Sequence, residues 1–307
     1  SMCAISGIDM ALLDLKGKVL GVPCYELLGG AYRKDILLYA NYWFTKGGHN
    51  EADYAEQARA VKAAGFTGLK FDPFAHTNYF YGEDLASNLT LTPAQQDLAF
   101  NVSKAVREAV GPEVDIMIET HAMLNYRIAV KMAERLATLD IAWYEEPAGP
   151  ESSQTLRAMR ERIPSDVAIC VGERHYTRFG IRSLLEKHVC DIIMPDITRC
   201  GGPSEMKRMA TMAEAYQVLL APHNPNGPLS TLASSHVCAS VPNFFRQEFM
   251  FNDVPWRDTV IDHPIADMVY DGHLHLSDRP GLGVDLVEEE MEKHPGITSN
   301  PPENFYI

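Results

Sequence analysis

Short apolar runs alternate with longer amphipathic segments along most of the chain. The apolar runs predict strands near residues 37–43, 68–71, 114–118, 142–145, 168–172, 191–194, 218–221 and 245–248. The amphipathic segments between them predict helices, among them 51–64, 93–110, 126–138 and 203–216. About eight such units are typical of a closed (β/α) barrel, whose short strands are buried on both faces. An open doubly wound sheet is the alternative, but it would normally carry a Gly-rich turn after its first strand, and none is found here.

The pattern differs at the two ends of the chain. Ile8, Leu12, Leu15 and Val19 recur at helical spacing and predict a helix over 6–20, which the Leu-Leu-Gly-Gly stretch at 27–30 brings to an end. After residue 251 the chain becomes irregular and rich in Pro, Asp and His. We therefore predict three parts: a helical lead-in (1–30), a (β/α) barrel catalytic domain (31–251), and a C-terminal return segment and tail (252–307).

Composition narrows the classes of function. The formal net charge of −14 and the pI of about 5.2 argue against nucleic acid or an anionic membrane as a partner. An anionic substrate would need a local positive centre, either a bound metal or a lysine. The sequence has neither an apolar stretch of membrane-spanning length nor a secretory signal, so we expect a cytoplasmic protein. The six cysteines are scattered and indicate neither a zinc site nor a disulfide framework.

Ionisable residues stand at the carboxyl ends of seven predicted strands. In a (β/α) barrel these ends share one face, which is where the chemistry takes place. In chain order the residues are Lys70 and Asp72, Glu119 and His121, Glu145 and Glu146, Glu173 and Arg174, Asp196, His223 and Glu248. We therefore expect one acidic mouth, lined by side chains from the second to the eighth strand.

Glu119, Glu145 and Glu173 follow three consecutive predicted strands. Burying three carboxylates together is unfavourable unless a cation compensates, because like charges in a small space cannot all remain ionised. A divalent metal would meet this need, and all-oxygen ligation favours Mg²⁺ over zinc. Taken singly, each carboxylate could instead be one half of a buried ion pair. Lys70 could neutralise a substrate carboxylate or simply pair with Asp72.

Two histidines are candidates for proton transfer. Asp196 and His223 come from neighbouring strands, so the carboxylate could accept a hydrogen bond from one ring nitrogen and leave the other to act as a base. The alternative is that His223 is satisfied within its own loop. Glu119 and His121 stand two positions apart, and strand alternation would place both on one face. His121 is then the second candidate proton carrier.

The ordered set of strand-end motifs resembles the enolase superfamily, in its mandelate racemase subgroup, over nearly the whole chain. The motifs are SGIDMALLDLKGKVLGVPCYELLGG, GLKFDPF, IETHAMLN, WYEEP, VGERHYTRFG, DIIMPDITRCGG, APHNPNGPLS and GLGVD. The resemblance implies a modified (β/α)7β barrel. It also implies that Glu119, Glu145 and Glu173 hold Mg²⁺, although Glu119 stands where the family more often has aspartate.

The same resemblance implies roles for four further residues. His223 paired with Asp196 would abstract the proton α to a substrate carboxylate. Lys70 would contact that carboxylate, and Glu248 would assist. The metal in a dry pocket would stabilise the enediolate that forms, since an α proton is otherwise too weakly acidic for a histidine.

Departures from the family pattern indicate the reaction. Racemases of the subgroup carry Lys-x-Lys on the second strand, whereas here Asp72 takes the place of the second lysine, and we assign it to substrate binding. A base on only one face disfavours racemisation. His121 lies in an acid-x-His pattern that resembles D-galactonate dehydratase-like enzymes, where this histidine protonates the departing 3-hydroxyl. We expect a hydro-lyase of sugar acid catabolism that converts an aldonate or aldarate to a 2-keto-3-deoxy acid.

Two other interpretations follow from the same residues. Family members begin with an α+β capping domain, and this chain is expected to begin just after most of it. Without that cap, the barrel could be a non-catalytic binding module. An epimerase or cycloisomerase is the other alternative, with Asp72 or His121 as the second acid or base. A homo-oligomer is expected, with Trp43 or the His- and Asp-rich tail as candidate interface residues.

Overall fold

The computed structural model describes residues 1–45, 50–74, 91–149, 152–251 and 253–294, and within them parallel strands alternate with helices around a closed barrel. The strands are β1 Asp35–Asn41, β2 Gly68–Phe71, β3 Asp115–Glu119, β4 Trp143–Glu145, β5 Ile169–Val171, β6 Ile192–Ile193, β7 Leu219–Leu220 and β8 Gln247–Met250. Each overlaps a predicted strand. The predicted (β/α) barrel is therefore confirmed.

Helices connect successive strands, as the (β/α)7β architecture requires. The helices are α1 Met2–Leu20, α2 Cys24–Leu27, α3 Glu51–Ala63, α4 Pro93–Val110, α5 Tyr126–Leu136, α6 Ser153–Arg160, α7 Thr177–Glu186, α8 Pro203–Glu214, α9 Pro228–Ala239 and α10 Glu288–Lys293. Single 3-10 turns lie at Trp43–Thr45, Ala137–Leu139, Arg257–Val260 and Ile265–Met268. Helix starts carry local signals: α4 begins with a capping box between Thr92 and Gln95 and with Pro93 in its first turn.

The barrel closes through β1, which pairs in parallel with both β2 and β8. At the other side of β8, a bridge between Leu220 and Phe244 joins it to β7. Side chains from successive strands fill the interior below the carboxyl ends; these are Tyr39, Met117, Trp143, Cys170, Ile192, Met194 and Ala221. This apolar layer is the floor of the mouth.

The lead-in helix α1 is docked through Met10 and Leu13, which pack against the core, and through small and polar residues. Ser6 accepts a hydrogen bond from the backbone N–H of Gly201 at 3.0 Å, and Asp9 accepts one from the N–H of Ser204 at 2.8 Å. The apolar stripe that predicts the helix lies on the opposite face, where Ile8, Leu12, Leu15 and Val19 are 57 to 75% exposed. The helix is confirmed, but its apolar face is not the face that packs on the barrel.

The described part of the tail returns to the amino-terminal end of β1. Two short strands, β9 Val269–Tyr270 and β10 His273–His275, extend the sheet. β10 pairs antiparallel with β1, with Asp35 opposite His275, and β9 pairs antiparallel with β10. Leu274 and Leu276 are buried there. Residue 252 and residues 295–307 of the predicted tail lie outside the described residues, and the boundaries at 30 and 251 stay a prediction.

Trp43 is buried, and the prediction that it contributes to an interface is wrong for this reason. Its indole Nε1 donates a hydrogen bond to the carbonyl of Lys70 at 2.8 Å, and its ring packs against Tyr54 and Phe71. Among the described residues, no helix has the length and apolar character needed to cross a membrane.

Candidate active site

Three buried glutamates converge at the carboxyl ends of β3, β4 and β5. Glu119 and Glu145 are direct partners in the parallel register of β3 and β4. Glu173 follows β5 after Gly172, where φ is +137° and a Cβ would lie 3.0 Å from the N of Met194, so a glycine is required for this turn. One oxygen from each carboxylate lies within 4.8 Å of the others. The spacing and the buried, all-oxygen donor set fit a divalent cation.

Two carboxyl groups of this trio, Glu119 and Glu145, shift their pKa in opposite directions. Burial raises the pKa of Glu145 well above its ordinary value, and the negative charge of Glu119 adds to the rise. For Glu119, burial acts in the same direction, but His121, a hydrogen bond with Glu145 and Lys70 together lower its pKa. A proton shared by Glu119 and Glu145 therefore relieves their repulsion, which a metal ion between them would do as well.

Lys70 lies among carboxylates at the bottom of the mouth. Its Nζ is 2.6 Å from Glu145 Oε1, 2.9 Å from Glu248 Oε1 and 3.5 Å from Glu119 Oε2. Burial lowers the pKa of Lys70, but Glu145, Glu248, Tyr39 and Glu119 outweigh burial and raise the pKa well above its ordinary value. The alternative that Lys70 simply pairs with Asp72 is wrong, because the strand end directs the ammonium to the glutamates instead.

Glu248 is fixed by donors from two directions. The side-chain amide of Asn41 donates to Oε1 at 2.6 Å, and the backbone N–H of Asn224 donates to Oε2 at 2.6 Å. Burial raises its pKa, but Lys70, His223 and these donors more than compensate, so the net shift is downward. Glu248 therefore lies in the mouth as a charged carboxylate held against Lys70.

Asp196 and His223 form a hydrogen-bonded pair on one side of the glutamates. A parallel bridge makes the two residues neighbours, and His223 Nδ1 lies 2.9 Å from Asp196 Oδ2. The other ring nitrogen, Nε2, lies 3.3 Å from Glu173 Oε2. Burial lowers the pKa of His223, but Glu173, Glu248 and Asp196 together raise it to about 9. His223 is thus positioned within the mouth and is not satisfied only by its own loop.

Asp72 and His121 form a second pair on the other side of the glutamates. His121 Nδ1 lies 3.0 Å from Asp72 Oδ2 and 3.9 Å from Glu119 Oε1. Burial lowers the pKa of His121, but Glu119 and Asp72 raise it to about 9. Glu119 and His121 do share a site, yet not by strand alternation, because β3 ends at Glu119 and His121 has a left-handed backbone with φ of 47°.

Several residues with no assigned role hold these groups in place. Arg174 donates to Glu146 Oε2 at 2.7 Å and to the carbonyl of His121 at 3.1 Å. Thr198 donates from both N and Oγ1 to Asp196 Oδ1, at 2.7 and 2.6 Å. The Asp-x-Thr spacing is a local turn signal visible in the sequence. The link from Arg174 to His121 joins two strands and has no local signal.

The chain matches two sequence families. The family described as "Enolase C-terminal domain-like" matches residues 53–290, and the one described as "Mandelate racemase / muconate lactonizing enzyme, N-terminal domain" matches residues 1–29. Among curated proteins, the chain is 33% identical over 294 residues to a D-xylonate dehydratase of Haloferax volcanii, covering 95% of this chain and 69% of that protein. The curated relatives are longer: the chain spans 58 to 75% of their length.

Solved structures show the same architecture. A mandelate racemase/muconate lactonizing enzyme-like protein from Rubrobacter xylanophilus is 36% identical with a TM-score of 0.88, over 96% of this chain and 77% of that one. The 3,6-anhydro-D-galactonate cycloisomerase from Zobellia galactanivorans is 31% identical with a TM-score of 0.80, over 95% of this chain and 75% of that one. The chain therefore belongs to the enolase superfamily, with the domains of the mandelate racemase / muconate lactonizing enzyme type.

Proposed function

We propose that this chain is a Mg²⁺-dependent dehydratase of sugar acids. The observation that carries the proposal is the placement of three clustered glutamates between two histidine–aspartate pairs. One pair can remove a proton while the other delivers one, which is what loss of water from adjacent carbons requires. The relative named a D-xylonate dehydratase supports the same class of reaction.

Glu119, Glu145 and Glu173 would hold the metal through one oxygen each. Hard carboxylate oxygens suit Mg²⁺, which keeps several waters or substrate oxygens among its ligands. When bound, the ion supplies positive charge against the substrate carboxylate as the α proton leaves. Lys70, held by Glu145 and Glu248, adds a second positive centre from the chain itself.

His223 would take the α proton. The Nδ1 bond to Asp196 fixes the ring and makes Nε2 the nitrogen that points to the glutamates and to a substrate bound there. Asp196 accepts the Nδ1 hydrogen throughout and stabilises the ring when it becomes charged. The bond that breaks is Cα–H, and its electrons pass toward the carboxylate.

His121 would protonate the departing 3-hydroxyl. Its Nδ1 is bonded to Asp72, so Nε2 is the nitrogen that would give its proton to the leaving oxygen. The C3–O bond breaks, water leaves and a Cα–C3 double bond forms. The resulting enol becomes the 2-keto-3-deoxy acid by taking up a proton at C3 and losing the proton of its 2-hydroxyl group. Together the two histidines remove one proton and supply one.

The direct test is an assay of product formation. The protein is incubated with Mg²⁺ and a panel of aldonic and aldaric acids, and 2-keto-3-deoxy acids are measured. We expect turnover of at least one acid, and exchange of its α hydrogen with deuterium from the solvent. If a version of the protein with the whole length of its relatives turns over no acid in the panel, the proposal is wrong.

Epimerisation or cycloisomerisation is the second candidate. The His121–Asp72 pair favours it, because a histidine opposite His223 could also return a proton to the substrate instead of removing water. The similarity to a 3,6-anhydro-D-galactonate cycloisomerase supports it as well. Reaction in deuterated water separates the two: an epimerised or cyclised product that retains all its oxygens would favour this candidate over dehydration.

A further inference from the structure

Asp72 is one of the two residues predicted to bind the substrate, and its side chain is buried. It is 1% exposed, and both of its carboxylate oxygens are used. Oδ1 accepts a hydrogen bond from the backbone N–H of Phe74 at 2.7 Å, and Oδ2 lies 3.0 Å from His121 Nδ1. The side chain of His121 is 30% exposed. The ring therefore lies between the carboxylate and the mouth.

We propose that Asp72 is a positioning residue for His121 and that it does not bind the substrate. This inference rests on the proposed dehydratase function. It gives the leaving-group half of the reaction its own histidine–aspartate pair, separate from the His223–Asp196 pair that removes the α proton. Asp72 then acts only on loss of the 3-hydroxyl, through the orientation and tautomer of the His121 ring.

Residues that follow β4 and β5 fix the backbone of His121, whereas Asp72, which follows β2, holds its ring. Arg174 donates to the His121 carbonyl at 3.1 Å, and the N–H of Ala122 donates to the carbonyl of Glu146 at 2.9 Å. His121 and Ala122 both have positive φ, so this segment is held in a sparsely populated conformation. The main chain is thus set by β4 and β5. Asp72, at the end of β2, supplies the bond that sets the ring.

The substitution Asp72→Asn tests this role because it changes the contact with His121 and keeps the contact with Phe74. An asparagine keeps one carbonyl oxygen for the N–H of Phe74, so the turn after β2 is retained. Its amide NH₂ then faces His121 Nδ1 and cannot accept a hydrogen there, which favours the wrong tautomer. When a catalytic histidine loses the carboxylate that orients its ring, the reaction rate falls on the order of 10²- to 10⁴-fold.

The experiment compares three rates in Asp72→Asn and in the wild type. We expect dehydration to fall by about 10²- to 10⁴-fold, while exchange of the α hydrogen with deuterium changes by less than roughly threefold. Elimination of fluoride from a 3-deoxy-3-fluoro analogue should also persist, because fluoride leaves without a proton. Equal losses of all three rates, or unchanged dehydration, would overturn the proposal.

A second measurement does not depend on activity. Proton NMR of the wild type should show two strongly deshielded imidazole N–H signals, one from each pair. Asp72→Asn should remove one and Asp196→Asn the other. If both signals persist in Asp72→Asn, the positioning role is wrong. If the wild type turns over no acid, loss of one signal still shows that Asp72 orients the His121 ring, whereas the proposed function and the role of Asp72 in loss of the 3-hydroxyl are then wrong.

Asp35→Asn is the matched control. Asp35 forms the same kind of pair on the surface, with Oδ1 2.7 Å from His275 Nδ1, far from the glutamates in the sheet. We expect it to leave dehydration, exchange and both signals unchanged. A loss of dehydration in Asp35→Asn as large as that in Asp72→Asn would show a general effect on folding and would count against the proposal.

Discussion

The two histidine–aspartate pairs of the mouth are alike in geometry and unlike in surroundings. The Nδ1–Oδ2 distance is 2.9 Å in the His223–Asp196 pair and 3.0 Å in the His121–Asp72 pair. The side chain of His223 is 10% exposed, whereas that of His121 is 30% exposed. His223 follows a strand in the register of its aspartate, but His121 follows a strand on a left-handed backbone.

The carboxylates of Asp196 and Asp72 differ in the number of hydrogen bonds that they accept. Asp196 is surrounded by hydrogen-bond donors from Thr198 and from the side-chain amide of Asn226 at 3.1 Å. Burial raises its pKa, but the bonds from His223 and Thr198 outweigh burial and lower the pKa to about 2. Among the described residues, the carboxylate of Asp72 accepts only the N–H of Phe74 besides its bond to His121, and burial raises its pKa.

This difference is consistent with the two roles proposed for the pairs. A carboxylate with many donors stays charged and holds its histidine in one orientation, which suits a base that must be aligned before the first step. A carboxylate with fewer donors, beside a more exposed ring, suits an acid that meets a leaving group. The predictions below test this division, from the largest expected effect to the smallest.

Replacing His223 should have the largest effect. In His223→Asn, exchange of the α hydrogen and dehydration should both fall by up to about 10⁴-fold, because asparagine cannot accept the proton. Deuterium incorporation by NMR and product assay measure the two. His275→Asn, from the surface pair, is the control. Retained exchange would place the base elsewhere in the mouth.

Replacing His121 should separate the two halves of the reaction. In His121→Asn, dehydration should fall by about 10²- to 10³-fold while the α hydrogen still exchanges, because the His223–Asp196 pair that removes the α proton is intact. The same two assays apply. If His121→Asn stops exchange as well as dehydration while His223→Asn keeps exchange, the roles of the two histidines are reversed.

The glutamates between the pairs can be tested through metal-dependent stability. Mg²⁺ at 100 times its Kd should raise the free energy of unfolding by about 2.7 kcal/mol, because the ion binds the folded state. Glu145→Gln should reduce this gain, since it removes one of the three clustered oxygens. Thermal unfolding with and without Mg²⁺ measures it.

The adjacent Glu146→Gln is the matched control, because Glu146 is held by Arg174 and is outside the cluster. It should keep the gain from Mg²⁺. If the wild type shows no gain at millimolar Mg²⁺, the two pairs lack a common metal, and a non-catalytic barrel becomes the better interpretation.

A third buried histidine shows what happens without a carboxylate partner. His236 Nδ1 accepts from the N–H of Tyr25 at 3.2 Å, and Nε2 lies 3.3 Å from the carbonyl of Leu282. Burial lowers its pKa to about 4, which the Leu282 carbonyl and Asp14 only partly oppose. The two histidines of the mouth shift in the opposite direction.

The sign of its pH dependence follows from linkage. An unfolded histidine takes up a proton near pH 6.5, so between about pH 6.5 and 4 the unfolded state binds more protons. The free energy of unfolding should therefore fall by roughly 2 kcal/mol from about pH 7.5 to 5. Urea unfolding measures it. The variant His236→Phe keeps a ring against Tyr25, and in it the fall in the free energy of unfolding between about pH 7.5 and 5 should be smaller by this amount. If the pH dependence is the same as in the wild type, its assignment to His236 is wrong.

Much of the site could be predicted because it depends on strand ends. A residue that directly follows a buried strand of a parallel barrel must reach the same face as its neighbours, so Glu119, Glu145 and Glu173 were expected together. The same logic brought Asp196 next to His223. For Lys70 and Asp72 the sequence left the partners open, because two charged residues on one strand give no indication of which partner each one meets.

The sequence by itself determined the alternation of strands and helices, the barrel, and the order in which ionisable groups enter the mouth, because period and strand ends are local properties of the chain. Only the tertiary structure decided the partners: Lys70 among Glu145 and Glu248, Asp72 behind His121, and the apolar face of α1 turned outward. These contacts join residues far apart in the chain, and their choice depends on strand register and backbone turns that no local pattern encodes.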